Sequence, residues 1–279
     1  MGELTTLDYQ TGADLPDGSG VALRNLLVAC ADTKLLLGYH YGEWTFGTPA
    51  LEAAIANCSL AQTELGHVRL LHGILKAHFG EDPDQLVARR AADRFANVAY
   101  LDRDLPDWAA VVAATYVVDL SVTRVLDSMS GSTFLPVRSV MDKMLEEERY
   151  HAHHGRGWFR ALAGRGGDSL RGLELAVRDA LRSVTEWVGP PSEAEDLALV
   201  AAGVKARANQ DLLADTIREV SQTGAAAGIP GLAEPSTTPG TGRDGTWSAA
   251  TRRARAGGPL EEILYHMRGS KNAVFRQDS

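Results

Sequence analysis

The chain has 279 residues, 44% of them apolar, and a formal net charge of −8. That length is enough to bury a large core, and the acidic balance argues against nucleic acid or an anionic membrane as a partner. Residues 1–20 have neither a basic start nor an apolar centre, and no apolar stretch reaches about 18 residues, so we expect no signal peptide and no membrane span. The predicted compartment is the cytoplasm.

Helices are predicted throughout, because Ala and Leu dominate and β-branched residues do not alternate. Gly80 is expected to end the second helix, and Ser192 with Glu195 forms a capping box that opens the sixth. Cys30 and Cys58 lie in apolar helical patterns and are expected to be small buried side chains. In chain order, the predicted helices cover about residues 20–43, 49–79, 107–130, 133–163, 168–188, 193–222 and 259–268.

These elements divide the chain into four parts. Residues 1–19 are polar and predict a mobile arm, and 20–222 contain the helical bundle. Residues 223–258 have linker composition, and 259–279 are expected to form a closing helix and tail that pack on the bundle. The long connection over 80–106 is typical of a crossover between two helix pairs. The predicted fold class is therefore all-α, a four-helix bundle with additional C-terminal helices.

The strongest chemical signal is a Glu-x-x-His motif, Glu148 and His151, inside an apolar face of the fourth helix. A carboxylate in a core is costly unless an opposite charge compensates it. No Lys or Arg lies in this face, so a metal cation is the expected partner, and Glu-x-x-His is the spacing of a bundle-core metal motif. At three- and four-residue spacing the face contains Met141, Met144, Glu148, His151, Gly155, Trp158 and Leu162.

A second copy of the motif, Glu64 and His67, lies on the second predicted helix in an apolar face with Leu60, Leu71 and Ile74. Roughly 0.5 chance matches are expected for this composition, so two copies in apolar faces are a much stronger signal than one. The alternative, in which the two glutamates are surface charges, requires the helix phase to be wrong by about 100°.

A two-metal site of this kind also takes one carboxylate from each of the other two helices. The third helix offers Asp119, in an apolar face from Val112 to Met129. The first offers Glu43, with Asp32, nearer the helix start, as its competitor. The predicted metal-ligating and catalytic residues are Glu43, Glu64, His67, Asp119, Glu148 and His151.

The charges of this set suit a pair of metal ions, because four carboxylates balance two divalent ions in a dry core. Carboxylate and imidazole ligands are typical of iron or manganese, whereas structural zinc usually recruits Cys. We predict two iron ions, with manganese as the alternative. The sequence has no glycine fingerprint for flavin or nicotinamide, so electrons are expected from a separate reductase.

Several short strings along most of the chain resemble a known family, the ferritin-like subunits of bacterial phenylacetyl-coenzyme A epoxidase, a multicomponent di-iron monooxygenase. This resemblance implies a ferritin-like four-helix bundle. The strings that carry it are Gly42-Glu43-Trp44, Pro49 to Glu52, Gly66-His67-x-Arg69, Phe95-Ala96-Asn97, Asp107 to Asp119, Glu148-Arg149-Tyr150-His151, Gly157-Trp158 and Leu260 to Tyr265.

The family holds two similar subunits, one that binds the iron pair and one that has lost ligands and acts as a scaffold. In its overall sequence the chain resembles the scaffold type. Both Glu-x-x-His motifs are nevertheless intact, which favours a subunit of this family that can bind metal. The resemblance also favours Glu43 over Asp32 as a ligand. Glu64 and Glu148 are then expected to bridge the ions, with Glu43 and Asp119 at the two ends.

The predicted function is that of a non-haem di-iron oxygenase subunit that inserts one oxygen atom from O₂ into a small organic substrate. By the resemblance, this substrate is an aryl or acyl-CoA thioester. The first alternative is a non-catalytic structural subunit of such a monooxygenase, and the second is a ferroxidase or another di-metal oxidase. The expected assembly is a homo- or hetero-oligomer with a related ferritin-like subunit.

Overall fold

The computed structural model describes residues 8–232 and 247–275. These residues are mostly helical and contain no β-strand, which confirms the predicted all-α class. Residues 1–7, 233–246 and 276–279, which belong to the predicted arm, linker and tail, lie outside the described ranges. The α-helices are α1 (Ser19–Glu43), α2 (Leu51–Phe79), α3 (Trp108–Asp127), α4 (Leu135–Gly164), α5 (Gly167–Val188), α6 (Ala194–Ala201), α7 (Asn209–Ala226) and α8 (Glu261–Met267).

The first four helices form a closed ring, as expected for a four-helix bundle. Helix α1 packs against α2 and α3, and α4 packs against the same two helices. The apolar faces predicted for α2, α3 and α4 are largely buried, with Leu60, Val122 and Met144 fully so. Near the end of α4 the prediction was wrong by one residue, because Trp158 is half-buried and Phe159 is fully buried instead. Helix α5 covers α3 and α4, α6 packs on α1, and α7 packs on α3 and α5. The proposed division of the chain into four parts stays a prediction.

The crossover between α2 and α3 is held by Asp32, the residue that competed with Glu43 for a metal-ligand role. The buried Asp32 carboxylate pairs with Arg90 and accepts a hydrogen bond from the Ala96 amide at 2.8 Å. The Trp187 indole of α5 donates to the Ala96 carbonyl, also at 2.8 Å. Asp32 is therefore used to fix the crossover, away from the bundle centre.

The expectation that no apolar stretch is long enough to span a membrane is wrong for helix α3. Trp108–Asp127 is long and apolar enough to do so, but 83% of its apolar stretch is buried inside the protein. Over Ala114–Asp119 the helix widens into a π-turn, a feature often found at functional sites. Gly155 of α4 lies against this turn, and a Cβ there would be 3.2 Å from the Tyr116 amide nitrogen. Glycine thus allows α4 to approach the π-turn closely.

The predicted sixth helix, 193–222, is two helices in the structure, α6 and α7. Gly203 interrupts it with a φ of +70°, a left-handed conformation that glycine adopts without steric cost. Lys205 in the break is fully buried, pairs with Asp196 and lies 2.5 Å from the side-chain oxygen of Asn209. Because Lys205 satisfies both residues at once, the break is a packed corner between the two helices.

The predicted end of α2 is confirmed, whereas the predicted capping box at the start of α6 is wrong. Gly80 ends α2 with a φ of +70°, as predicted. The capping box of Ser192 and Glu195 does not form. The Glu193 carboxylate caps α6 instead, accepting from the amides of Glu195 at 3.0 Å and Asp196 at 2.7 Å.

Two buried arginines fasten the segment before α8 to the rest of the protein. Arg252 donates to the carbonyl oxygens of Trp187 at 2.6 Å and Val188 at 3.0 Å, and its guanidinium lies 4.6 Å from the Trp187 ring centre. Arg253 pairs with Asp102 in the crossover. Both arginines therefore have a structural role.

The same segment generates a stability prediction at two adjacent glycines. A Cβ at Gly258 would lie 1.8 Å from the Ala92 carbonyl oxygen, whereas at Gly257 the nearest atom is the Arg253 guanidinium nitrogen at 3.8 Å. We expect Gly258→Ala to lower the free energy of unfolding by about 1–3 kcal/mol because the chain must move to accommodate the methyl group. Gly257→Ala should change it by less than about 0.5 kcal/mol. Urea denaturation of both variants checks this, and equal losses would contradict it.

Candidate functional site

Five of the six predicted ligands meet in the centre of the bundle. Helix α2 contributes Glu64 and His67, the π-turn of α3 contributes Asp119, and α4 contributes Glu148 and His151. Each of the five residues is at most 2% exposed. Ligand atoms of four of them, Glu64, Asp119, Glu148 and His151, lie within 4.8 Å of one another. The faces read from the sequence therefore do converge, while the assignment of these residues as metal ligands stays a prediction.

Glu43, the sixth predicted ligand, is not part of this cluster. It lies exposed at the C-terminal end of α1. Nine positions separate it from the inward-facing Lys34, and at about 100° per residue this places the two on opposite sides of the helix. Within the described residues, α1 therefore brings a lysine and no carboxylate to the bundle centre.

Lys34 is the positive charge at the centre of the cluster. Its ammonium nitrogen lies 2.5 Å from Asp119 Oδ1 and 3.1 Å from Glu64 Oε2, and it also forms an ion pair with Glu148. One ammonium group thus contacts all three carboxylates, each from a different helix. The inward face of α1 that positions it is completely buried and consists of Leu27, Cys30, Lys34, Leu37 and Tyr41.

The two imidazoles complete the charge balance. His151 Nδ1 lies 2.9 Å from Asp119 Oδ2, and His67 Nδ1 lies 3.1 Å from Glu148 Oε1. Burial opposes protonation, but the adjacent carboxylates raise the pKa of His67 to about 9 and that of His151 to about 10. Despite burial, the three carboxylates also hold the pKa of Lys34 well above its ordinary value. The buried carboxylates thus favour the charged forms of all three basic side chains.

Side chains around the cluster contact two of its carboxylates and one of its imidazoles. Thr123 donates to Glu148 Oε2 at 2.6 Å, and the Tyr41 hydroxyl donates to Asp119 Oδ2 at 3.4 Å. Glu147 Oε2 lies 2.9 Å from His67 Nε2, with the Glu147 side chain 39% exposed. A carboxylate in this position orients an imidazole.

The cluster suits a buried cation, but a pair of divalent ions does not fit beside Lys34. The donor atoms are carboxylate oxygens and imidazole nitrogens, the types that bind iron or manganese. The set is nevertheless one carboxylate short of the two-metal class. In addition, the Lys34 ammonium lies within hydrogen-bond distance of all three carboxylates. The sequence predicted four carboxylates balanced by two divalent ions, whereas here three carboxylates share the ammonium of Lys34.

Lys34 was not among the predicted site residues, because the prediction considered compensating charges only on the same helix face as each carboxylate. The ammonium comes from a helix 30 residues earlier in the chain than Glu64 and 114 residues earlier than Glu148. One signal was present, since Lys34 is the only charged residue in the apolar face of α1 from Leu27 to Tyr41. A lysine in such a face needs a buried anionic partner.

The fold and this core cluster define a ferritin-like helical-bundle protein. Residues 9–275 match the family described as "Phenylacetic acid catabolic protein", and the chain belongs to that family. It is also similar to one of the subunits of the 1,2-phenylacetyl-CoA epoxidase of Escherichia coli (strain K12), with 26% identity over 175 residues that cover 62% of this chain and 69% of that protein. The family expected from the sequence is confirmed.

The ion pairs of Lys34 generate a second stability prediction. Lys34→Met removes the shared ammonium and leaves three carboxylates facing one another in the core. We expect the free energy of unfolding to fall by about 3–5 kcal/mol, the usual cost of breaking a buried pair from one side. Adding Glu64→Gln, which removes one negative charge, should recover much of that loss. Guanidinium denaturation measures both variants, and a single variant as stable as the unaltered protein would refute this role for Lys34.

Proposed function

We propose that this chain belongs to a multicomponent oxygenase of the phenylacetyl-CoA epoxidase type, in which it contributes structure and assembly and does not itself react with O₂. The observation that carries the proposal is the Lys34 ammonium, which contacts all three carboxylates of the cluster. Membership of the phenylacetic acid catabolic family and the similarity to one subunit of an epoxidase support it.

In this proposal the cluster has a structural role that an ion would otherwise fill. Lys34 on α1 contacts Glu64 on α2, Asp119 on α3 and Glu148 on α4. One side chain therefore links all four helices of the ring. In this proposal the shared ammonium specifies the packing register of the four helices, because any shift would leave a buried charge unpaired.

In this proposal, partner proteins bind the metal ions and supply the electrons. A related bundle subunit would hold the metal ions, a separate reductase would supply electrons, and the substrate would be a small molecule of the aryl or acyl-CoA thioester class. The proposed compartment remains the cytoplasm. The similarity to a protein named as one subunit of an epoxidase is what supports a partner subunit.

A second candidate is the di-iron oxygenase expected from the sequence. It is favoured by the ligand atoms of Glu64, Asp119, Glu148 and His151, which lie within 4.8 Å of one another, and by the contact of Glu147 with His67. It requires Lys34 to leave the cluster, and the three carboxylates would lose the cation that they share. The geometry therefore supports the structural subunit better than the oxygenase.

Turnover of the assembled complex separates the two candidates. The double variant Lys34→Met with Glu64→Gln alters the cluster while preserving its charge balance. If the chain is structural, phenylacetyl-CoA oxidation per assembled complex should stay close to that of the unaltered protein. If the cluster is the oxidising centre, we expect a loss of at least about 10-fold, because even groups that only orient a metal ligand contribute 10–100-fold.

The control for this experiment is a second buried pair outside the bundle centre. Lys205→Met with Asp196→Asn replaces an ion pair of similar burial in the corner between α6 and α7. Its turnover corrects for the general effect of removing a buried pair. Product is measured by mass spectrometry with oxygen-18, the reductase and the partner bundle subunit present. A loss specific to the Lys34 and Glu64 variant would reject the structural role.

An exposed apolar stripe on α2 is the surface that we propose for the related bundle subunit. Leu51, Ile55 and Leu65 are 73%, 64% and 44% exposed at helical spacing, and Phe46, just before α2, is 99% exposed. Cys58 lies in the same stripe and is exposed, where the sequence predicted a buried thiol. Several large apolar side chains exposed on one helix face are typical of protein interaction sites.

This surface predicts a variant that assembles poorly but folds normally. Leu51→Asp with Ile55→Asp places two charges in the stripe, which should abolish association with the partner subunit, because burying unpaired charges is costly. Both side chains are exposed, so the melting temperature of the isolated chain should stay the same. Leu175→Asp, at a residue that is 70% exposed on α5, is the matched control. Size-exclusion chromatography with light scattering tests this, and an intact complex would contradict it.

A further inference from the structure

We infer that Lys34 is the residue that keeps divalent metal ions out of the bundle centre, and that its replacement by glutamate would complete a site for two such ions. This inference rests on the proposed function, because a subunit that does not react with O₂ has no need of the ions. The ligands concerned are divalent transition metals that prefer oxygen and nitrogen donors, such as ferrous or manganous ions.

The position of Lys34 in the fold supports this inference. Two-metal bundle sites take a Glu-x-x-His from two helices and one carboxylate from each of the other two. Here α2 and α4 supply the motifs, α3 supplies Asp119, and α1 supplies Lys34 at the position where the fourth carboxylate would stand. The exchange of one side chain is therefore the difference between this cluster and a complete donor set.

The reach of the side chain matters as much as its charge. The Lys34 nitrogen extends far enough to contact Asp119 at 2.5 Å and Glu64 at 3.1 Å, so it fills the space between the carboxylates. A glutamate on the same backbone is one bond shorter. Its oxygens would stop short of the opposing carboxylates and leave room for cations between them.

Electrostatics act in the same direction. An ammonium and a divalent ion at contact distance in a buried site repel strongly, because little solvent screens them. Lys34→Glu changes the formal charge by −2 and produces four carboxylates, the number that neutralises two divalent ions.

The imidazoles are already oriented for such a site. Nδ1 of His67 lies 3.1 Å from Glu148, and Nδ1 of His151 lies 2.9 Å from Asp119, so both nitrogens face the carboxylates. Nε2 of His67 contacts Glu147 on the outer side, as the outer carboxylate does in many metal-bound histidines. Only α1 therefore has to change.

Metal content of the full-length chain tests this inference. The unaltered protein, Lys34→Glu and Lys34→Met are stripped of metal and incubated with ferrous, manganous or cobaltous ions without oxygen. They are then desalted and analysed by elemental mass spectrometry. We expect no retained ions in the unaltered protein and two per chain in Lys34→Glu. Adding Glu64→Gln to Lys34→Glu should reduce the number, and cobalt in Lys34→Glu should give visible absorption bands that the unaltered protein lacks.

Every outcome bears on the inference. Two ions in the unaltered protein that are lost in Glu64→Gln would overturn it, as would a folded Lys34→Glu protein without ions. If Lys34→Glu does not fold, the melting temperature of Lys34→Met with added metal tests the inference instead. Ligand binding to the native state raises the melting temperature, so added metal should stabilise Lys34→Met and leave the unaltered protein unchanged. The absence of that difference would also overturn the inference.

The result that would reject the proposed function differs from the result that would reject this inference. Metal uptake by the unaltered protein, together with normal assembly and normal turnover after changes to the cluster, would reject only the exclusion of ions by Lys34. A metal-free unaltered protein that does not associate with a related bundle subunit would reject only the structural-subunit proposal.

Discussion

One buried ammonium shared by three carboxylates is the interaction on which the bundle depends. Charged groups inside a protein lose their hydration, and only close opposite charges and hydrogen bonds compensate for that loss. Lys34, fully buried, meets this requirement by contacting Glu64, Asp119 and Glu148. Because the four groups come from four helices, rotation or sliding of any one helix would separate a buried charge from its partner. The electrostatic requirement of the core thus favours this one arrangement of the four helices.

Local features of the helices bring these groups within reach of one another. The π-turn ending at Asp119 and the absence of a side chain at Gly155 let α3 and α4 approach closely. One turn after Lys34, a Cβ at Gly38 would lie 3.3 Å from Glu64 Cβ, so α1 and α2 are also close at this level. Close packing on both sides excludes water, and this strengthens each ion pair.

An ammonium and a pair of metal ions answer the same electrostatic problem in different ways. Each neutralises carboxylates that could not otherwise be buried together. Ions leave coordination positions for other ligands and bring redox chemistry, whereas an ammonium covalently attached to α1 brings neither. The chain belongs to the phenylacetic acid catabolic family. Within the multicomponent oxygenase that we propose, Lys34 favours a structural role for this bundle.

The sequence by itself determined most of the helices, and on α2 and α4 it determined the carboxylate–imidazole pairs at the centre, because helical periodicity is a local property. Glu64, His67, Glu148 and His151 were found from spacing alone.

Only the tertiary structure decided which charge compensates them. Lys34 lies on another helix, Asp32 finds its partner in the crossover, and Glu43 lies at the end of α1 with its side chain exposed. Contacts between distant segments depend on how the helices pack and rotate relative to one another. The identity of the central cation, an ion or a lysine, is therefore a property of the folded bundle and not of any one motif.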